Sequence, residues 1–167
     1  MTGENTYAMA DVSAKPISRR RALAVGRIDL GPEAYARVAA GTLPKGDALS
    51  LARFAGILGA KMTPQLIPLC HPISLNRVHL TTRLRESENA VDVYCLAEIA
   101  ERTGVEMEAL CGLQVALLTI WDLAKPIEPA LGIGQVRLLY KEGGKSGEWR
   151  HPDGLDEFAE GLLDDSE

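Results

Sequence analysis

The chain reads as an α+β domain, a ferredoxin-like split βαβ with an antiparallel sheet covered by helices. Its segments follow the order strand, helix pair, strand, strand, helix, strand, which is the order of that unit. Two adjacent segments alternate apolar and polar residues with period two and are separated only by Glu-Ser-Glu-Asn at 86–89, the pattern of an antiparallel hairpin. Residues 105–125 are apolar with helical spacing and predict one long helix behind the sheet.

The elements follow in order. After a polar leader, residues 21–30 are the first strand. Gly31-Pro32 opens a short helix and Gly41 closes it, since Pro suits a first turn and Gly the position past the last. Asp47 has the character of an N-cap for residues 48–61. That helix carries Leu51, Ala55, Leu58 and Met62 on one face, while the small Ala52, Gly56 and Gly59 suit close packing against a sheet or another helix and offer such a surface to a second copy. Thr63-Pro64 ends it. Residues 76–84 alternate Val78, Leu80, Thr82 and Leu84 with Arg77, His79, Thr81 and Arg83, and residues 90–99 answer with Val91, Val93, Cys95, Ala97 and Ile99. The long helix follows, with Thr103 and Glu106 at the spacing of a capping box. Residues 134–140 are the last strand.

A chain of 167 residues is long enough to bury one core, and residues 1–150 are read as a single domain. The net charge of −5 is concentrated at the C-terminus, where residues 151–167 carry seven acids and no Lys or Arg, leaving +2 for residues 1–150. That segment is read as a disordered acidic tail. No dense basic face suggests nucleic acid, and a neutral main body does not oppose a phosphorylated ligand. Cys70, Cys95 and Cys111 are odd in number, widely spaced and without a Cys-x-x-Cys, against a disulfide framework or a structural zinc site. A reducing cytoplasm fits. The first ten residues lack a signal-like apolar run, and no segment is read as spanning a membrane.

Residues 61–72 read Lys-Met-Thr-Pro-Gln-Leu-Ile-Pro-Leu-Cys-His-Pro. Three prolines fix φ and remove amide donors, so they exclude a regular helix or inner strand across the segment and hold Cys70 and His71 in one frame. His71 reads as a base, a hydrogen-bonding partner, a metal ligand or a packed core histidine; the ligand role ranks last, because adjacent Cys and His side chains cannot easily chelate one metal. On the long helix Cys111, Val115, Leu118, Asp122 and Lys125 share one stripe that starts apolar and ends charged. Spacing alone makes Asp122 and Lys125 an ordinary surface ion pair. Glu106 has a possible duty at the helix cap; Glu108 has none. Lys45 stands beside Gly46, and Gly143-Gly144-Lys145-Ser146-Gly147 is a loop able to present amides to an anion, though not a Walker P-loop.

Residues 61–72, Thr-Gly-Val-Glu-Met-Glu-Ala at 103–109, Trp-Asp-Leu-Ala-Lys at 121–125 and Lys-Glu-Gly-Gly-Lys-Ser-Gly at 141–147 occur in the order and spacing of the MoaC family, the cyclic pyranopterin monophosphate synthases of molybdenum cofactor biosynthesis. The chain closely resembles that family from about residue 11 to 147. Met62, Glu142 and Pro126 depart from the family pattern. The resemblance implies a lyase that converts 3′,8-cyclo-7,8-dihydroguanosine 5′-triphosphate to cyclic pyranopterin monophosphate and releases pyrophosphate. It implies Asp122, Lys125 and Lys45 as catalytic residues, and Leu69, Cys70, His71, Glu106, Met107, Glu108, Lys61, Lys141 and Lys145 as substrate-binding ones. It further implies a homohexamer, a trimer of dimers with sites at the dimer contact, no required cofactor, and magnesium at most with the substrate phosphates. Two other readings fit the same residues: a nucleotide-binding module without chemistry, and another nucleotide phosphate lyase or cyclohydrolase.

Overall fold

The computed structural model describes residues 7–145 and 147–164; the start of the polar leader, Ser146 of the glycine loop and the last three residues of the acidic tail lie outside them. The elements are β1 (Ser18–Asp29), α1 (Gly31–Ala40), α2 (Ala48–Lys61), α3 (Thr63–Leu66), β2 (Arg77–Arg85), β3 (Ala90–Glu101), α4 (Glu106–Ala124), β4 (Gly132–Glu142), β5 (Trp149–Arg150) and α5 (Glu157–Asp164). The strands lie in the order β2-β3-β1-β4-β5, every neighbour antiparallel. Four of them form the ferredoxin-like unit; β5 is an added edge strand.

Local chemistry sets the boundaries. Gly41 closes α1 in the left-handed region at φ 66°, donating to the carbonyls of Arg37 and Val38. Asp47 caps α2 by accepting from the amides of Leu49 and Ser50 at 3.0 and 3.2 Å. The hairpin between β2 and β3 turns through Glu86–Glu88 and Asn89, whose φ of 50° asparagine tolerates better than most residues.

Five expectations need correction. The helix after Thr103 has no capping box: Val105 is its N-cap and makes no side-chain cap, because Glu106 turns to Lys141 instead, 3.0 Å away. Residues 61–72 are not wholly irregular, since Pro64 sits in the first turn of the one-turn α3, where its missing N–H costs nothing. The small stripe of α2 is not left free for a second copy. Its buried residues are Ala48, Ala52, Gly56, Gly59 and Ala60, while Leu51, Phe54, Leu58 and Met62 are exposed. The small stripe therefore packs within the chain, against α4. A Cβ on Gly56 would lie 2.9 Å from the Gly112 carbonyl, and one on Gly59 would lie 2.7 Å from the Val115 Cβ. α4, with a stretch of mean hydropathy 1.4, is long and apolar enough to cross a membrane, yet half of that stretch is buried inside the fold, as in a core helix.

The fifth correction concerns the tail. Residues 157–164 are helical, and Ala159 and Leu163 are buried. Together with Phe158, Leu155 and Leu162 they pack on Leu23, Val25, Tyr94, Leu96, Leu139 and Tyr140, on the side of the sheet away from α2 and α4. Burying an apolar stripe offsets the repulsion of the acids on the opposite face of so short a helix. Arg21 secures the end by donating to the Leu163 carbonyl at 2.6 Å, and Arg83 pairs with Asp156 at 2.8 Å. β3 is thus covered on both faces, which is why its first ten residues are all buried.

Candidate active site

α2 and α4 run antiparallel, and the residues singled out by the sequence collect at the two ends of this pair. At the N-terminal end of α4 a cavity of about 250 Å³ is lined by Leu69, Cys70 and His71 from the proline-rich segment and by Glu106, Met107 and Glu108 from the first helical turn. The geometry follows from the chain path. α2 and α3 deliver the proline-pinned segment to the place where β3 ends and α4 begins. His71 Nε2 lies 2.8 Å from the Ala10 carbonyl, so this nitrogen carries a proton and donates.

Glu108 is only 4 % exposed. Burial pushes its carboxyl above the usual range and the neighbouring Glu106 adds to the rise, against the opposing pull of its own backbone N–H and of His71. Burial likewise raises the Cys70 thiol, with Glu108 contributing, so Cys70 is a weak nucleophile and serves as wall. Lys141 reaches this end of the molecule through its ion pair with Glu106. Lys61 lines an adjoining cavity of about 380 Å³ that shares Ile73 with the first.

Lys145 lies in a third hollow, of about 460 Å³, with Lys15, Ser18, Arg20 and Gly144. Sequence reasoning did not single out Lys15, Ser18 or Arg20. Arg20 is aimed by hydrogen bonds to the carbonyls of Glu101 and Arg102, immediately before Thr103 and Gly104 of the first cavity. Gly144, at φ 74°, lies so close over the Arg20 guanidinium that a Cβ there would strain the backbone and displace the arginine. The Ser18 hydroxyl is buried and has no hydrogen-bond partner among the described residues. Three cations and an unused hydroxyl around one hollow suit an anion of high charge. Glu142, the departure that adds a negative charge nearby, is neutralised: it accepts from Tyr140 and lies 3.6 Å from Arg21.

At the far end of α4 the carboxylate of Asp122 is bracketed by two ammonium groups, Lys125 Nζ at 2.6 Å from one oxygen and Lys45 Nζ at 3.0 Å from the other. Lys45 arrives from the loop before α2, Lys125 from the C-cap of α4, where it also lies over the Trp121 ring. All three side chains are about half exposed. Hydrogen bonds from Lys125 and then Lys45 hold the Asp122 carboxyl below its usual range. The stripe that leads to this cluster is partly open to solvent, since Leu118 is 58 % exposed. Among the described residues no three His, Cys, Asp or Glu side chains converge as metal ligands.

The two groups stand apart. Glu108 and Asp122 are fourteen residues apart on one helix. At 1.5 Å per residue the separation is about 21 Å.

The family model described as the MoaC family matches residues 9–144. Proteins named cyclic pyranopterin monophosphate synthase are similar over most of their length. That of Pelobacter propionicus is 46 % identical over 146 residues, covering 87 % of this chain and 91 % of its own. Those of Thermomicrobium roseum and Roseiflexus castenholzii are 44 and 46 % identical, covering 87 and 84 % of this chain and 87 and 89 % of theirs. With the family match reaching from the leader through the glycine loop, and with every element of the ferredoxin-like unit inside it, the chain belongs to the MoaC family.

Proposed function

We propose that this enzyme of molybdenum cofactor biosynthesis converts 3′,8-cyclo-7,8-dihydroguanosine 5′-triphosphate to cyclic pyranopterin monophosphate with release of pyrophosphate. The observation that carries the reading is the similarity, at 44 to 46 % identity across most of both chains, to proteins named for that product. The side chains suit the chemistry. Opening one ring, forming a pterin and closing a cyclic phosphate require proton transfers and stabilised anions but no net oxidation. Lys125 moves the proton, Asp122 and Lys45 hold and recharge it, Glu108 accepts from the N–H groups of the guanine-derived ring, and His71 hydrogen-bonds the ribose or a phosphate. Lys61, Lys141 and Lys145, joined by Arg20 and Lys15, receive the triphosphate. No redox cofactor has a task in this scheme, and magnesium enters on the substrate phosphates.

The working site is composite. A proton relay acts within about 3 Å of the reacting atoms, so one chain cannot apply both ends of α4 to one ring system. The outer face of the α2–α4 pair supplies a means of joining them, since Leu51, Phe54, Leu58, Met62 and Leu118 are exposed together, Phe54 to 72 %. A two-fold contact on this face sets the Asp122 end of one copy against the Glu108 end of the other. Three such dimers make the homohexamer that the family resemblance implies, and the assembly works in the cytoplasm.

Incubation with the cyclo-nucleotide is expected to release one pyrophosphate per product. Turnover of unmodified guanosine triphosphate would instead identify another nucleotide lyase or cyclohydrolase. Saturable binding of the cyclo-nucleotide without any pyrophosphate would identify a binding module.

A further inference from the structure

On the side of the sheet away from α2 and α4 lies a cleft of about 260 Å³ to which β1, β2 and β4 contribute Arg27, Arg85 and Arg137. The residues between β5 and α5 close it, with Asp153 and Asp156 on its wall. Its arginines are unequally matched. Arg27 donates to both oxygens of Asp92, at 2.6 and 3.2 Å, and also to Glu88. Arg85 donates to Glu88 at 3.1 Å and stands 3.7 Å from Asp92. Asp156 is taken up by Arg83. Arg137 has no carboxylate partner among the described residues: one terminal nitrogen donates to the Gln135 carbonyl at 3.3 Å, and its Nε is buried with no acceptor.

A guanidinium stays charged at every accessible pH, and a buried donor left unmade is costly. The backbone holds this one in place. Arg137 lies opposite Val25, beside a register shift between β1 and β4. At that bulge Gln135 has φ 52°, a conformation that few residues other than glycine adopt. Guanidinium groups arriving from three strands present N–H donors in several directions. A tetrahedral oxyanion can meet these, whereas a planar carboxylate matches one edge at a time.

We propose that this cleft binds a small oxyanion of the phosphate class with Arg137 as its principal ligand, at a site divided from the candidate active site by the sheet. Calorimetric titration of inorganic phosphate and of pyrophosphate into the full chain carrying Lys45→Ala and Lys145→Ala tests it, since those changes cripple the lysine clusters on the other face. Binding of one anion per chain is expected. Arg137→Gln should weaken it about tenfold, the loss of a charge-assisted hydrogen bond. Asp153→Asn, at a side chain that is 82 % exposed and peripheral to the core, should strengthen it several-fold by removing a like charge from the wall. In an otherwise natural chain, Arg137→Gln should leave pyrophosphate release intact. No binding of either anion to the double variant overturns the proposal, as does binding that Asp153→Asn fails to strengthen. Equal affinity for acetate overturns the assignment to the phosphate class.

Discussion

At Glu108, burial and the neighbouring Glu106 favour the neutral carboxyl, so two consequences of opposite kind follow from one shift. As pH falls, this group is protonated earlier than a free glutamate with its pKa of about 4.3, and its acceptor for the ring N–H groups is lost. The KM for the cyclo-nucleotide should therefore rise on the acid side at a pH above the ordinary carboxylate range, and Glu108→Gln should lose that limb while raising KM throughout. Stability runs the other way. A carboxyl whose pKa is raised in the folded state contributes its stability below the unfolded value and loses it as pH rises through the folded one, so Glu108→Gln should unfold at higher temperature than the natural chain at neutral pH. A KM profile that the substitution leaves unaltered would falsify the acceptor role. At Asp122 the shift has the opposite sign and the carboxylate stays ionised through mild acid, so this cluster does not account for the acid limb. Its ion pairs are exposed and add little to stability. Asp122→Ala and Lys125→Ala should abolish pyrophosphate release with no change in the thermal unfolding midpoint, and near-normal turnover in either variant removes the cluster from the mechanism. Most residues of both clusters were legible in the sequence because they stand in motifs with fixed spacing. Lys15, Ser18 and Arg20 were not. They belong to a basic stretch indistinguishable from solvated charge, and only the return of the chain through Gly143 and Gly144 places them beside Lys145.

Among the elements, α2 shows why strand and helix order was easier to read than what a helix face packs against. Period and caps depend on neighbours in sequence, and Asp47, Gly41 and the first half of the β2 alternation, Arg77 to Leu80, are recovered in the structure, whereas Leu84 at the end of that strand is exposed. Which face turns inward depends on what lies across the contact. A stripe of large apolar residues commonly marks the core face. Here the interaxial approach is so close that backbone meets backbone, and only the glycine and alanine face of α2 fits against Gly112. A Cβ on Gly112 would lie 2.9 Å from the Gly56 carbonyl and 3.0 Å from the Cys95 sulfur, neither at the free end of a flexible side chain. Gly112→Ala should consequently destabilise the fold by roughly 1–3 kcal/mol despite the better helix propensity of alanine, as overpacking does. Urea denaturation measures the loss, and a stabilised variant would show that the helices separate freely. The tail misled for a related reason. Its seven acids dominate the composition, while the stripe of Phe158, Leu162 and Leu163 acquires meaning only against the outer sheet face of Leu23, Val25, Tyr94 and Leu96.

For the molecule as a whole, the separation of the two clusters along α4 turns assembly into a question about catalysis. Lys45 and Asp122 meet within one chain, so lesions at these two positions fall in the same half of any composite site. His71 and Glu108 belong to the opposite end, with Lys141 and Arg20. Mixing inactive Asp122→Ala chains with Glu108→Gln chains, at a cyclo-nucleotide concentration so far below the raised KM of the latter that neither alone turns over, should restore activity, because each mixed dimer has one site carrying both lesions and one carrying neither. With free exchange half the dimers are mixed, and about a quarter of the natural activity should return. Lys45→Ala mixed with Asp122→Ala should return none, since every site then keeps a lesion in the relay. Phe54→Asp places a charge in the centre of the exposed apolar face and should prevent both association and recovery without unfolding a chain in which Phe54 supports no core. Absence of recovery in the Asp122–Glu108 mixture despite demonstrated subunit exchange, or full activity of a monomeric Phe54→Asp protein, would show that one chain brings both ends of α4 to its substrate, and the composite site would have to be abandoned.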